Sequence, residues 1–276
     1  MEELREKACR LRLQVLDMIC SKKGGHIGGD FSEMEILLEL YCRQMNIDAA
    51  RPDAPERDRF ILSKGHSVEA LYAVLADRGF FPAEELGGYL SFGGKLMGHP
   101  NNQVPGIEMN TGSLGHGLSL GVGMALAARL RGLASRTYVL MGDGELAEGS
   151  VWEAAMAASH YGLDSLCATV DRNGLQISGA TEEIIGLEPL AERFRSFGWN
   201  AIEVPDGNNF EQLGAAYALA RNSRGRPSVV IAHTVKGCGV SFMEGRAKWH
   251  HGIPGESERR AAAAELETAM RDGRCV

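Results

Sequence analysis

The chain has 276 residues, 44% of them hydrophobic, which suffices for one sizeable α/β domain over 1–276 and leaves room for a second only if one is small. Its formal net charge of −7 excludes the basic excess expected of a nucleic-acid-binding protein. The charged, amphipathic start MEELREKACRLRLQ carries no signal-peptide pattern, and no run of eighteen apolar residues follows, so no membrane span is expected and the location is read as cytoplasmic. The cysteines Cys9, Cys20, Cys42, Cys167, Cys238 and Cys275 are scattered, form no C-x-x-C and mostly sit in apolar runs. That usage fits reduced core residues better than a disulfide framework or a zinc site.

In chain order, residues 3–20 place Leu4, Leu11, Val15 and Ile19 at helical spacing and predict one helix, ended by Gly24-Gly25-His26-Ile27-Gly28-Gly29. Ser32 with Glu35 reads as a capping box opening a helix to about Met45. Pro52 and Pro55 mark a loop, 60–63 a strand, and Lys64-Gly65-His66 lead straight into a helix through Ala76. Residues 79–110, rich in Gly and Pro, predict an irregular surface loop. Gly112-Ser113-Leu114-Gly115-His116-Gly117 opens a helix to about Arg131, on which Gly117, Gly121 and Ala125 form a small-residue stripe for close packing. A strand follows at 138–141. Ser150 with Glu153 reads as a second capping box, starting a helix near Val151 that ends by Tyr161, and 166–170 is the next strand. Beyond it come a helix at 189–197, a strand at 200–204, a helix at 210–221, a strand at 228–232, a Gly-rich loop over 235–256 and a closing helix at 257–270. Strands alternate with helices throughout, which predicts an α/β fold: a parallel sheet with helices on both faces.

The most informative stretch runs from Thr137 to Gln176. Its strand–helix–strand order is a βαβ unit, whose parallel strands end on one edge. Asp143, in Gly142-Asp143-Gly144, and Asn173, thirty residues on, each sit just past a strand's carboxyl end. Asp-Gly and Asn-Gly are individually ordinary turns. Paired on adjacent strand ends, a carboxylate and an amide supply two hard oxygens of the kind Mg²⁺ takes together with phosphate oxygens. The glycines let backbone approach a bulky anion, and the helix that follows offers N–H donors. A dinucleotide site is disfavoured, because Gly142-x-Gly144 is followed next by Gly149 and an acid in the turn would repel a pyrophosphate lacking a cation; no P-loop pattern occurs. Five of the eight histidines adjoin glycine: His26, His66, His99, His116 and His251. His26, His66 and His116 fall at predicted mouths of the sheet, where open α/β folds bind ligands. Zinc is the rival reading, but no pair has H-x-x-x-H spacing and no HExxH occurs.

The run GDGELAEGSVWEAAMAASHYGLDSL, with DRNGLQISG after it, resembles the thiamine-diphosphate motif and, in this fuller form, that of transketolase. The resemblance covers nearly the whole chain but only the family's first, diphosphate-binding portion, and implies the thiamine-diphosphate-binding fold. By that resemblance Asp143 and Asn173 ligate the metal (Mg²⁺, or another divalent cation such as Ca²⁺ or Mn²⁺), with the Leu175 carbonyl as third ligand. GGHIGG is similar to SGHPG and makes His26 a substrate-hydroxyl histidine. FILSKGHSVEALYA places His66 near cofactor and substrate, and MGHP places His99 on the substrate side. NTGSLGHG is similar to TTGPLGQG, laying Gly112, Ser113 and Leu114 along the cofactor beside Gly144. Glu148 matches an acid that links two cofactor sites through a buried interface. WHHGIP resembles HGAP and places His251 at cofactor and substrate. The chain departs from the family at Ser113, where it has Pro, at His116, where it usually has Gln and to which no role is carried, and at Gly25, which replaces a small polar residue.

In this family a glutamate on a second domain supports the coenzyme's aminopyrimidine, and a third domain follows. About 25 residues remain after His251, too few for either. The resemblance therefore implies a separate partner chain carrying the pyrimidine-binding and C-terminal domains, in an α₂β₂ assembly; a truncated piece is the competing explanation, and the closing helix favours the first. The implied activity is transfer of a two-carbon ketol unit from a ketose, expected to be a phosphate, to an aldose, with His26, His66, His99 and His251 holding hydroxyls and moving protons. Three other readings stay open: the α-subunit of a 2-oxoacid dehydrogenase, a deoxyxylulose-phosphate synthase fragment, and a non-catalytic cofactor-binding or assembly subunit.

Overall fold

The computed structural model describes residues 2–275. Its strands are β1 (Arg59–Leu62), β2 (Thr137–Gly142), β3 (Leu166–Asp171), β4 (Leu175–Gln176), β5 (Gly179–Ala180), β6 (Asn200–Val204) and β7 (Ser228–Ala232). Five of them form one parallel sheet in the order β1-β2-β3-β7-β6, while β4 and β5 pair as a small antiparallel ribbon. The register sets Leu62 beside Leu140 and Leu140 beside Thr169, so the exits of β1, β2 and β3 lie side by side.

Consecutive strand residues point to opposite faces, and here both faces are apolar. Phe60, Leu62, Tyr138, Leu140 and Val230 face one core, shared with α1 (Glu2–Lys22), α2 (Ile27–Glu39), α3 (Val68–Asp77), and, later in the chain, α8 (Phe210–Asn222) and α9 (Glu256–Arg271). Ile61, Val139, Met141, Ala168, Val170 and Ile231 face the other, beneath α4 (Gly117–Leu130), α5 (Gly149–His160) and α7 (Leu190–Ser196). The one-turn α6 (Thr181–Ile184) follows the β4–β5 ribbon. Among the described residues no helix is long and apolar enough to cross a membrane.

Three sequence expectations are corrected. Ser32 opens no helix: α2 starts at Ile27, runs through Ser32 with every residue buried, and ends in a π turn over Leu40–Gln44. The Ser32 hydroxyl donates instead to Asp171 Oδ2 at 2.6 Å and to the Gly29 carbonyl at 3.0 Å. Ser150 is not the cap of α5 either; that position is Glu148, and the Ser150 hydroxyl donates to the Gly115 carbonyl at 2.9 Å. Finally, Cys9 of α1 and Cys275 form a disulfide, because the packing of α1 against α9 brings the two cysteines together with Cα atoms 6.1 Å apart; Cys20, Cys42, Cys167 and Cys238 are free. Residues 79–110 are irregular as expected apart from a 3₁₀ segment at Ala83–Gly88.

Candidate functional site

At the carboxyl ends of β1, β2, β3 and β7 lies a cleft of about 320 Å³. Each wall comes from the residues that leave one strand. Lys64 and His66 follow β1, Asp143 and Gly144 follow β2, Asn173 and Leu175 follow β3, and Lys236 follows β7. Gly112, Leu114 and His250 close it from the loops. The turn after β2 is shaped by a residue the sequence reading passed over, Glu145. Its buried carboxylate accepts from the Gly142 N–H at 3.1 Å, the Gly115 N–H at 2.7 Å and the Ser63 hydroxyl, fastening the Gly-Asp-Gly turn to the loop before α4. Gly112 holds φ near +135°, and a Cβ there would meet the ring of His99 at 2.6 Å, so only glycine fits.

The three residues expected to hold a cation, Asp143, Asn173 and Leu175, all line this cleft. Asp143 is 2% exposed. Its Oδ1 accepts from the Gly144 N–H at 2.8 Å, and its Oδ2 accepts from the Gly174 N–H at 2.6 Å and from Arg172 at 3.1 Å. Burial raises its carboxyl above the usual range, with Asp171 adding to the effect, against the opposing pull of the Gly174 N–H and Arg172. The Asn173 amide nitrogen donates to Asp171 Oδ2 at 3.2 Å, which fixes the amide, and its oxygen accepts from the Leu175 N–H at 3.1 Å. A buried carboxylate oxygen, an amide oxygen and a backbone carbonyl are a hard donor set suited to Mg²⁺, which takes few protein ligands and completes its shell with phosphate and water. No group of three or more His, Cys, Asp or Glu side chains able to hold a metal occurs among the described residues.

The cations of the cleft were missed by the sequence reading. The Lys64 ammonium is buried between Asp171 and Glu33, 2.9 Å from the latter. Burial alone would lower the lysine; the two carboxyl groups raise it. Burial would likewise raise Asp171, yet Lys64 and the Ser32 and Thr234 hydroxyls hold it below the usual range, while burial pushes Glu33 up to about 8. An elevated Glu33 and an elevated Lys64 are at odds for a fully charged pair. The consistent assignment is a Lys64⁺–Asp171⁻ pair with Glu33 protonated, since the low-dielectric site holds one balanced pair more easily than a second carboxylate. Burial, then the charge of Lys64, lowers Lys236 to about 8. Both lysines stand beside glycine at a strand exit, in Ser63-Lys64-Gly65 and Val235-Lys236-Gly237, and that position was the available signal.

The histidines converge. His26 lies 5.0 Å from His66 and 4.6 Å from His251, ring centre to ring centre, and His250 stacks on His66 at 5.2 Å. Of the two adjacent histidines it is His250 that lines the cleft, with Nδ1 3.4 Å from Lys236 Nζ; His251 is exposed behind it, against His26. Burial, then His251, lowers His26 to about 4; burial, then Lys236, lowers His250 to about 3; burial, then Lys64, also lowers His66. Neutral imidazoles can donate at one nitrogen and accept at the other, which suits the recognition of hydroxyl groups. His99 packs on Gly112 from the loop, where Tyr72 donates to its carbonyl at 3.2 Å. Ser113 and Glu148 are exposed, Glu148 at the start of α5, and neither lines the cleft. His116 is exposed too, its Nδ1 3.1 Å from the Leu114 carbonyl.

Residues 5–268 match the family described as transketolase, thiamine diphosphate binding domain. The chain is 46% identical over 265 residues to one of the subunits of the apulose-4-phosphate transketolase of Phocaeicola vulgatus, covering 96% of this chain and 94% of that one. It is 44% identical over 266 residues to the 6-deoxy-6-sulfo-D-fructose transketolase subunit SqwG of a Clostridium species, covering 96% of each. A crystal structure of a transketolase mutant from Pichia stipitis superposes with a TM-score of 0.89 at 29% identity, over 98% of this chain but 44% of that one, so this chain spans less than half the length of that enzyme. With its parallel sheet, the cleft at its strand ends and these likenesses, the chain belongs to the transketolase family, as a counterpart of that family's thiamine diphosphate binding domain.

Proposed function

We propose that the chain is the diphosphate- and metal-binding subunit of a split transketolase, a single domain that works with a second, separately encoded chain. The observation that carries this is the convergence of Asp143, Asn173 and Leu175 on one cleft whose other walls bear Lys64, His66, Lys236 and His250. The Asp143 carboxylate, the Asn173 amide oxygen and the Leu175 carbonyl would hold Mg²⁺, Ca²⁺ or Mn²⁺. The backbone at Gly112, Leu114 and Gly144, all on the cleft lining, would approach a diphosphate, and the Lys236 ammonium would help to balance its charge. Thiamine diphosphate, when bound, supplies the carbon nucleophile that makes ketol transfer accessible. His26, His66, His99 and the His250–His251 pair would orient sugar hydroxyls and exchange protons with them; burial lowers His26, His66, His99 and His250, and a neutral imidazole can act as acceptor or donor. Glu148 is exposed at the start of α5 and would meet a second subunit.

The relatives are named as transketolase subunits, and two are named for a sugar phosphate and a sulfo-sugar. A ketose with a terminal anion is the substrate class these names support. The partner would carry the pyrimidine-binding and C-terminal domains, in an α₂β₂ heterotetramer in the cytoplasm. Two measurements test the reading. In calorimetry with thiamine diphosphate and Mg²⁺, Asp143→Ala should abolish binding; unchanged affinity removes the assigned cation site. In a ketol-transfer assay the chain should be silent alone and active with its partner, and transfer by the isolated chain would refute the split.

A further inference from the structure

Arg172 stands between Asp171 and Asn173, and no step above uses it. Its main chain is pinned to the sheet: the N–H donates to the Ala232 carbonyl at 2.8 Å, and the carbonyl accepts from the Thr234 N–H at 3.3 Å. Its side chain is 7% exposed. Nη1 donates to Asp143 Oδ2 at 3.1 Å and to the Thr181 hydroxyl at 2.6 Å. Nη2 donates to Glu182 at 2.7 Å and to Glu188 at 3.0 Å, and Nε donates to Glu188 at 3.3 Å. All five N–H bonds of the guanidinium therefore have an acceptor.

Those acceptors come from two places. One is Asp143 at the exit of β2; the rest lie on residues 181–188, just beyond the β4–β5 ribbon that begins with Leu175. Backbone closes the circuit. The Gly174 N–H donates to the same Asp143 Oδ2 at 2.6 Å, and the Thr181 N–H donates to the Gly174 carbonyl at 3.0 Å. Besides the β4–β5 pairing, the segment is held by Arg193, which donates to the Gly186 and Glu188 carbonyls at 3.1 and 3.3 Å, and by the Leu187 N–H donating to Glu182 at 3.0 Å; apolar anchoring is sparse. Ile177, Ile184 and Ile185 are exposed, as are Glu182 and Glu188, and only Thr181 and Leu187 are buried between 174 and 188. A lysine could reach one of these acceptors as a point charge, whereas the planar fork addresses them together.

We propose that Arg172 is a positioning residue that couples the cation site to the order of residues 174–188: it fastens that segment, and with it the Leu175 carbonyl, to the Asp143 carboxylate before ligand arrives. This rests on the reading that Asp143 and Leu175 hold the cation. Outer partners that orient a metal's ligands commonly change affinity roughly 10- to 100-fold when removed. The test uses the full chain with Arg172→Lys and Arg172→Met. In ligand-free protein, amide exchange at Thr181, Ile185 and Leu187 should speed up in both variants while the amides of β2 and β3 keep their protection. Titration with Mg²⁺ and thiamine diphosphate should then show affinity lower by roughly 10- to 100-fold, in Arg172→Lys as well as Arg172→Met. A double variant, Glu182→Gln with Glu188→Gln, leaves Arg172 on Asp143 and should loosen the segment alike. An Arg172→Lys protein with unaltered exchange and affinity overturns the proposal, and so does faster exchange with unaltered affinity. If the unaltered chain takes up no thiamine diphosphate in the presence of its partner, the cation-site reading fails and takes this one with it, an outcome recognisable because it appears before any substitution.

Discussion

Lys64, Glu33 and Asp171 occupy a space that admits one balanced charge pair, so equal-looking carboxyl groups carry unequal loads. Asp171→Asn leaves the Lys64 ammonium buried without its counter-ion and should cost about 3–5 kcal/mol in urea unfolding at pH 7. Glu33→Gln replaces a protonated carboxyl by an isosteric amide and should cost no more than about 1 kcal/mol; equal losses would contradict the assignment. The histidines make a pH-dependent counterpart. His26, lowered from 6.5 to about 4, and His250, lowered to about 3, bind fewer protons folded than unfolded across that interval. Their contribution to stability is complete above pH 6.5 and is lost as pH falls toward 4 and then 3. Glu33, raised to about 8, runs the other way: its contribution is complete below the unfolded carboxyl range and is lost as pH rises through 8. Replacing His26 and His250 together by Asn should flatten the fall in urea midpoint between about pH 7 and 4; an undiminished fall would show that other groups dominate. Adjacent His250 and His251 also mark where one-dimensional reading stops. The resemblance points to His251, which packs 4.6 Å from His26, while the 3₁₀ turn Ala247–His250 sets His250 on the cleft lining, and nothing in the letters separates those two positions.

At the level of elements, α4 shows how close packing is written in glycine. A Cβ on Gly121 would meet Val139 at 2.5 Å, whereas a Cβ on Gly123 would meet nothing within 4 Å. Gly121→Ala should therefore destabilise by about 1–3 kcal/mol through overpacking. Gly123→Ala should stabilise by up to about 1 kcal/mol through helix propensity. Chemical denaturation of the two variants checks the contrast, and shifts of the same sign would refute it. The small-residue stripe at Gly117, Gly121 and Ala125 was legible because its period is helical, and all three are buried. Four of the five main strands were legible as short, largely apolar runs, and the edge strand β6, NAIEV, from its place between two helices; β6 and β7 match the expected bounds. Both capping boxes misled because the helices start upstream of them, α2 at Ile27 and α5 at Gly149; the two serines lie within the helices, and their hydroxyls donate to Asp171 and to the Gly115 carbonyl on other segments.

On the scale of the molecule, alternation of strands and helices was enough to foresee a parallel sheet covered on both sides, because only that arrangement buries strands apolar on both faces. Strand order was not legible, since the return of β7 between β3 and β6 is set by how helices pack rather than by any local pattern. Nor was the clasp between Cys9 and Cys275, whose 266-residue separation leaves no spacing to read. The parallel sheet has a practical corollary. Every group assigned to the cleft leaves a strand at its carboxyl end or comes from the loops above it, so the opposite rim, with the turns at 162–165 and 223–227, carries none of them. Arg224 is exposed there, in a turn tied to its neighbour by the Gly225 N–H donating to Asp164 at 2.9 Å. A dye or an immobilisation tag grafted at that position should leave coenzyme uptake unaltered, giving a handle by which the protein can be anchored to a sensor surface with its working edge facing the solution.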